Sequence, residues 1–290
     1  MIIDLIRKLQ KRSNSILSAL VLPKNVGQFE LVDAMRYVLM SPGKRIRPVI
    51  SYITADALDV NLNEIDYPAA SIELIHAYSL VHDDLPAMDD DDLRRGLPTC
   101  HKKFSESTAI LAGDALQSLA FETLSQIKND YAITLVKELS RASGVMGMAG
   151  GQAIDLAASG KDLDENSLEN MHILKTGALI SASVTFPYII SKNDDSKLSY
   201  ALKNYARCIG LAFQVQDDIL DVEGETEIIG KPIGSDYKSD KTTYPKLMGL
   251  QNAKKRAADL VDESCDTISF LGKKADSLIK LAQYIINRNN

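Results

Sequence analysis

Apolar residues recur at intervals of three and four over most of this chain, and strict alternation is almost missing. That spacing lines apolar side chains along one face of a helix, so it predicts an all-α fold. Leu5, Leu9, Ile16 and Leu20 mark an opening helix. Phe29, Val32, Met35, Val38 and Leu39 mark a second, which the SPGK segment at 41–44 interrupts. Pro48 and Pro68 each stand where a first-turn proline would begin the next helix. A mostly apolar, buried helix is expected from 69 to about 85, ending in acid. Further helices are predicted at 108–127, at 135–148 with an end near Gly150-Gly151, at 166–190 and at 198–222. A closing pair spans 253–286 and breaks near Gly272. No linker rich in Pro, Gly or Ser and no internal repeat divides the chain, so residues 1–290 should form a single domain, one large helical bundle.

Composition changes this picture little. At 290 residues, 45% hydrophobic and 25% charged, the chain lies in the ordinary globular range. A net charge of −6 and the lack of a basic tract argue against nucleic acid as a partner. Cys100, Cys208 and Cys265 share no metal-ligand spacing and fit free thiols in a reducing cytosol. Asp4, Arg7 and Lys8 interrupt the apolar residues of the N-terminus, unlike a secretory signal. No segment reads as long enough to span a membrane, so a soluble, cytoplasmic protein is expected.

The chemistry concentrates in two acidic motifs. The first, HDDLPAMDDDDLRRG, runs through residues 82–96 and the second, QDDILD, through 216–221. Six carboxylates between Asp83 and Asp92 repel one another, so they need solvent or cations. Two such clusters facing each other would make a cage of hard oxygen donors suited to Mg²⁺. The spacing does not match a helix–loop–helix calcium site, which alternates its ligands around a glycine. Asp217 and Asp221, four apart, share a helix face. Asp83 and Asp89, six apart, do not, but Pro86 ends the helix and lets the segment after it bring Asp89 back.

Basic groups beside the acids point to a ligand that is itself highly charged, most simply a diphosphate. GKRIRP, at 43–48, sets Lys44, Arg45 and Arg47 in a turn before a helix, an arrangement that can cradle an anion. Arg94-Arg95 either serve that ligand or balance the adjacent aspartates. His76 lies on nearly the same helix face as Asp83, as a site residue or as a satisfied core histidine.

Together these segments closely resemble the trans-isoprenyl diphosphate synthase family, and within it the short-chain bacterial farnesyl diphosphate synthases. The resemblance is carried by GKRIRP, HAYSLVHDDLPAMDDDDLRRGLPTCHKKF, LAGDAL, GGQAIDL, KTG, FQVQDDILD and GKPIGSDYKSDKTTYPKLMGL, in that order along nearly the whole chain. It implies an isoprenoid-synthase bundle with a central active-site cavity. It further implies a transferase that condenses isopentenyl diphosphate with dimethylallyl and then geranyl diphosphate.

By resemblance, Lys44, Arg47, His76 and Arg95 hold isopentenyl diphosphate, while Asp83, Asp89 and Asp217 bind metal. Arg94 contacts the allylic diphosphate, Lys175 and Thr176 flank the allylic substrate, Gln214 and Lys231 join Asp217 on the second-motif side, and Lys241 is another diphosphate-binding lysine. Three Mg²⁺, replaceable by Mn²⁺, and a homodimer are also implied. Tyr78 and Ser79, just before the first motif, match positions that floor the product pocket and imply a C15 product; the lesser alternative is Tyr78 as ordinary core. An ideal helix turns Tyr78 about 140° from Asp83, so Ser79 is the better aligned of the two. Ile233, the Ser239-Asp240 pair and the tail at 288–290 depart from the usual pattern. The rivals are a geranylgeranyl diphosphate synthase on the same scaffold, a terpene cyclase, which has no need of the isopentenyl cradle, and a non-catalytic partner of a longer-chain synthase.

Overall fold

Helix α3 (Ile46–Ala57) explains why this bundle holds together, because eleven of its twelve residues are buried. Such a helix is apolar all round and must be wrapped by others. In this computed structural model, which describes residues 2–21, 30–223 and 242–287, the wrapping is done by α4 (Leu62–Asp83), α10 (Ala178–Ile190) and α1 (Ile2–Leu20). α10 in turn packs on α11 (Ser196–Glu223) and α7 (Ala132–Ser143). Around these stand α2 (Glu30–Met40), the short α5 (Cys100–Lys103), α6 (Glu106–Ser125), α8 (Met148–Ala158) and α9 (Glu165–His172). The chain closes with α12 (Tyr244–Met248), α13 (Leu250–Ile268) and α14 (Asp276–Asn287). One apolar cluster runs from Ile6 on α1 to Ile285 on α14. The fold is all-α.

The strands are limited, among the described residues, to a two-stranded hairpin of Leu93–Arg94 and Leu97–Pro98. Its two turn residues, Arg95 and Gly96, have φ of 54° and 76°. A two-residue turn with both φ positive matches the twist of paired strands, so the tip is tight and holds Arg94 and Arg95 in place.

Several boundaries differ from the periodic pattern. α4 begins seven residues before Ala69, capped by Asn61, whose side chain accepts from the Asn63 amide, and Pro68 lies inside it rather than at its start. The helix predicted at 135–148 stops at Ser143, and Gly150-Gly151 sit within α8. The buried stripe of α1 is Ile6, Leu9, Ser13 and Leu17, so Leu5, Ile16 and Leu20 flank the core face. The break near Gly272 is present, at a φ of 57°.

Glu165–Ile190 is long and apolar enough to cross a membrane, contrary to the expectation that no segment would be. Its most apolar stretch is 56% buried inside the bundle, as in a core helix, and Leu179, Ile180, Val184 and Phe186 point into the core. Phe29, Lys231, Ile233, Ser239, Asp240, Lys241 and the 288–290 tail lie outside the described residues.

Candidate active site

A cavity of about 360 Å³ opens between α4, α8 and the residues that join α9 to α10. Arg47, His76, Asp83, Lys175 and Thr176 line it beside Tyr78, Ser79, Met88, Met148 and Leu156. The lining combines charged and apolar side chains, as a charged ester with an apolar tail requires.

The first acidic motif ends α4. Asp83 is its last helical residue, and the Asp89 amide donates to the Asp83 carbonyl at 2.9 Å, so the segment after Pro86 folds back as its break predicts. Burial pushes the Asp83 carboxyl up to about 6; Lys175 opposes that rise, and Asp89 adds to it. Asp84, one residue on, is 3% exposed and turns away from this cavity. It accepts from Arg94 Nε at 2.6 Å and Nη2 at 2.5 Å. Asp91 also meets Arg94, at 3.3 Å, and Asp92 pairs with Lys102 at 2.8 Å. The six carboxylates therefore divide, and Asp84, Asp91 and Asp92 are matched with bases of the adjoining hairpin and α5.

The basic cradle is built around a buried acid. Arg45, at a φ of 47° before α3, pairs with Glu73 at 3.1 Å, bonds Asn14 at 2.9 Å and Ser41 O at 3.1 Å, and also reaches the Leu39 carbonyl. These partners hold its strained backbone. Arg45 is therefore structural, whereas Arg47 lines the cavity. Arg47 is 8% exposed with its Nε unpartnered. Burial draws its guanidinium below the usual range, and Glu73 and Asp217 counter that shift.

Arg95 Nη1 donates to the Pro42 carbonyl at 2.8 Å. A Cβ on Gly43 would lie 2.4 Å from the same nitrogen. The arginine tip thus packs directly over the glycine. His76 is held well below its ordinary range by its packed setting and by Arg47, Arg95, Arg94 and Arg45, so it is a neutral donor or acceptor.

The opposite wall meets at KTG. Residues Ile173–Gly177 form a π-helical turn, a widened turn that often marks a functional site and that the sequence pattern does not reveal. Lys175 Nζ bonds Asp155 at 2.5 Å, and Thr176 Oγ1 donates to Gln214 Oε1 at 2.9 Å. The backbone of α8 touches this turn: a Cβ on Gly151 would fall 2.1 Å from Lys175 N. Asp217 reaches the site from α11 through its field on Arg47. Asp218 is 3% exposed and accepts from the Tyr244 amide at 3.0 Å.

Tyr78 and Ser79 both face the cavity, despite the turn between them. The Tyr78 ring stands edge-on to His82 at 5.5 Å, and its hydroxyl bonds Gln117. Gly113 leaves room for that arrangement, since a Cβ there would meet the His82 ring at 2.2 Å. Reasoning from sequence missed Glu73, Asp155 and the structural roles of Asp84 and Asp218. Each is defined by a partner ten or more residues away, so no local signal shows it.

No group of three or more metal-binding side chains is preassembled among the described residues. The crowded Asp83 and Asp89 on one wall and Asp217 on the other are hard oxygen donors, a set that fits Mg²⁺ shared between the protein and an anionic ligand. Fold and site together define a diphosphate-handling helical enzyme.

The chain belongs to the polyprenyl synthetase family, whose model matches residues 28–278. It is 48% identical over 287 residues to the farnesyl diphosphate synthase of Escherichia coli, covering 96% of each chain. The crystal structure of a geranyltransferase from Legionella pneumophila superposes with a TM-score of 0.89 at 37% identity, covering 100% of this chain and 98% of that one. A Helicobacter pylori geranyltransferase, solved with magnesium and an isoprenyl diphosphate, matches with a TM-score of 0.84 at 33% identity, over 97% and 95% of the two chains.

Proposed function

We propose that this prenyltransferase condenses isopentenyl diphosphate with dimethylallyl and then geranyl diphosphate to give farnesyl diphosphate. One observation carries the reading. Asp83, Arg47 and Lys175, from three segments, line one cavity together with apolar side chains, and the charges of Asp217 and Arg94 act on Arg47 and Asp83 from beside it. Asp83, Asp89 and Asp217 would hold Mg²⁺, which supplies Lewis-acid stabilisation of the charge that develops on a leaving diphosphate.

Lys175, anchored by Asp155, and Arg94, anchored by Asp84, donate to that leaving group from fixed positions. Lys44, Arg47, Arg95 and the neutral His76 hold the isopentenyl diphosphate. Lys231 and Lys241 are assigned to diphosphate binding by family resemblance alone. The apolar lining keeps water from the allylic cation. The isopentenyl double bond attacks that cation, and the departing diphosphate takes the proton then lost. Tyr78, its hydroxyl tied to Gln117, floors the tail pocket and stops growth at C15, with Ser79 beside it. Residues 1–290 act as a single domain.

A homodimer is part of the proposal. Its support is the exposed apolar side chains on α6, α7 and the turn after α7: Ile110, Leu111, Ile133, Val145 and Met146. The free thiols Cys100, Cys208 and Cys265 suit a reducing cytoplasm. The deciding experiment supplies labelled isopentenyl diphosphate and Mg²⁺ with each allylic primer. Farnesyl diphosphate as the end product supports the reading. Absence of condensation, or a C20 end product, overturns it.

A further inference from the structure

Gln152, on α8, is 8% exposed, and neither its Nε2 nor its Oε1 has a hydrogen-bond partner. Leaving a buried amide unanswered costs about 1–3 kcal/mol, which a ligand group can recover. The side chain lines the same cavity as Asp83, Lys175 and Thr176. Its position follows from its neighbours. Gly151 brings α8 against the Lys175 backbone, and Asp155, one turn on, holds Lys175 Nζ at 2.5 Å. Thr176 is engaged with Gln214. The amide therefore stands beside the charged end of the cavity, with Met148, Ala149 and Ala153 around it on α8.

We propose that Gln152 is a catalytic residue whose side-chain carbonyl faces the allylic carbon as its bond to diphosphate breaks. This rests on the prenyl-transfer reading above. An isoprenoid tail offers no hydrogen bond; the only charge it carries is the positive charge of the allylic cation. In the step, the carbon–oxygen bond breaks and its electron pair leaves with the diphosphate. The isopentenyl double bond then supplies the pair for the new carbon–carbon bond, and the amide emerges unchanged. A carboxylate in this place could capture the cation as an ester. An amide oxygen presents the negative end of a dipole with far weaker nucleophilicity.

The test compares two ligands in the presence of Mg²⁺ and inorganic diphosphate: an ammonium analogue of the allylic cation and its neutral hydrocarbon isostere. The native protein should prefer the ammonium analogue, and Gln152→Met should lose about tenfold of that preference while still binding the neutral isostere. Its kcat should fall about 10- to 100-fold with the KM for isopentenyl diphosphate held. Gln152→Asn, read in the same way, serves if the methionine variant unfolds. An unchanged preference, or an equal loss for both ligands, overturns the proposal. Failure of the native protein to turn over would instead strike the prenyl-transfer reading.

Discussion

Each acidic motif contains adjacent aspartates, and the two motifs divide their pair in the same way although their local structures differ. The first sits at an irregular helix end, where Asp83 faces the cavity and Asp84 is buried against Arg94. The second lies inside the regular helix α11, where Asp217 acts on Arg47 and Asp218 is buried under the Tyr244 amide. Consecutive helical side chains point about 100° apart, which lets one of each pair be buried in packing while its neighbour is turned elsewhere. The first acid of each pair is the proposed metal ligand, and the second ties down the segment that follows its motif. Adjacent carboxylates therefore supply both reactivity and the scaffold that aims it.

The sharpest way to break this comparison is to remove the first acid of each pair. Asp83→Ala and Asp217→Ala should each lower kcat by about a thousandfold or more, measured by incorporation of labelled isopentenyl diphosphate. Turnover that survives either change would end the parallel.

Removing the buried acids should act on stability. Asp84→Ala removes the nearest partner of Arg94 and should lose about 3 kcal/mol in denaturant unfolding. Asp218→Ala loses one buried amide bond and should lose about 1–2 kcal/mol. Equal losses from Asp83→Ala would blur the division of labour.

Asp83 also allows a pH test. Its folded carboxyl is raised to about 6, so between about pH 4 and 6 the folded state holds a proton that the unfolded state has released. Stability without metal therefore falls as pH rises through that window. Asp83→Asn should make the metal-free protein about 1–2 kcal/mol more stable at pH 7, and the gain should vanish at pH 4. A melting curve at each pH checks the sign.

The smallest effect on rate should come from Tyr78→Ala, which changes kcat less than about threefold while admitting products longer than C15. Product chromatography reads the length, and an unchanged C15 limit would remove Tyr78 from the pocket floor.

Periodicity and motif order made most of this protein legible. The all-α class, the buried first-motif helix, the break at Gly272 and the return of Asp89 after Pro86 all follow from local pattern, because helix faces and proline geometry are set by near neighbours. What only the tertiary structure decided involves partners far apart in sequence. Pro68 stays inside α4 because packing on α3 and α6 outweighs one missing amide. Arg45 leaves the cradle because Glu73, 28 residues away, captures it in the core. Gly151 reads as a turn signal, but its role is to admit the Lys175 backbone. A one-dimensional pattern shows which face of a helix is apolar; it does not show which charge will be buried opposite which, because that depends on how the helices are stacked.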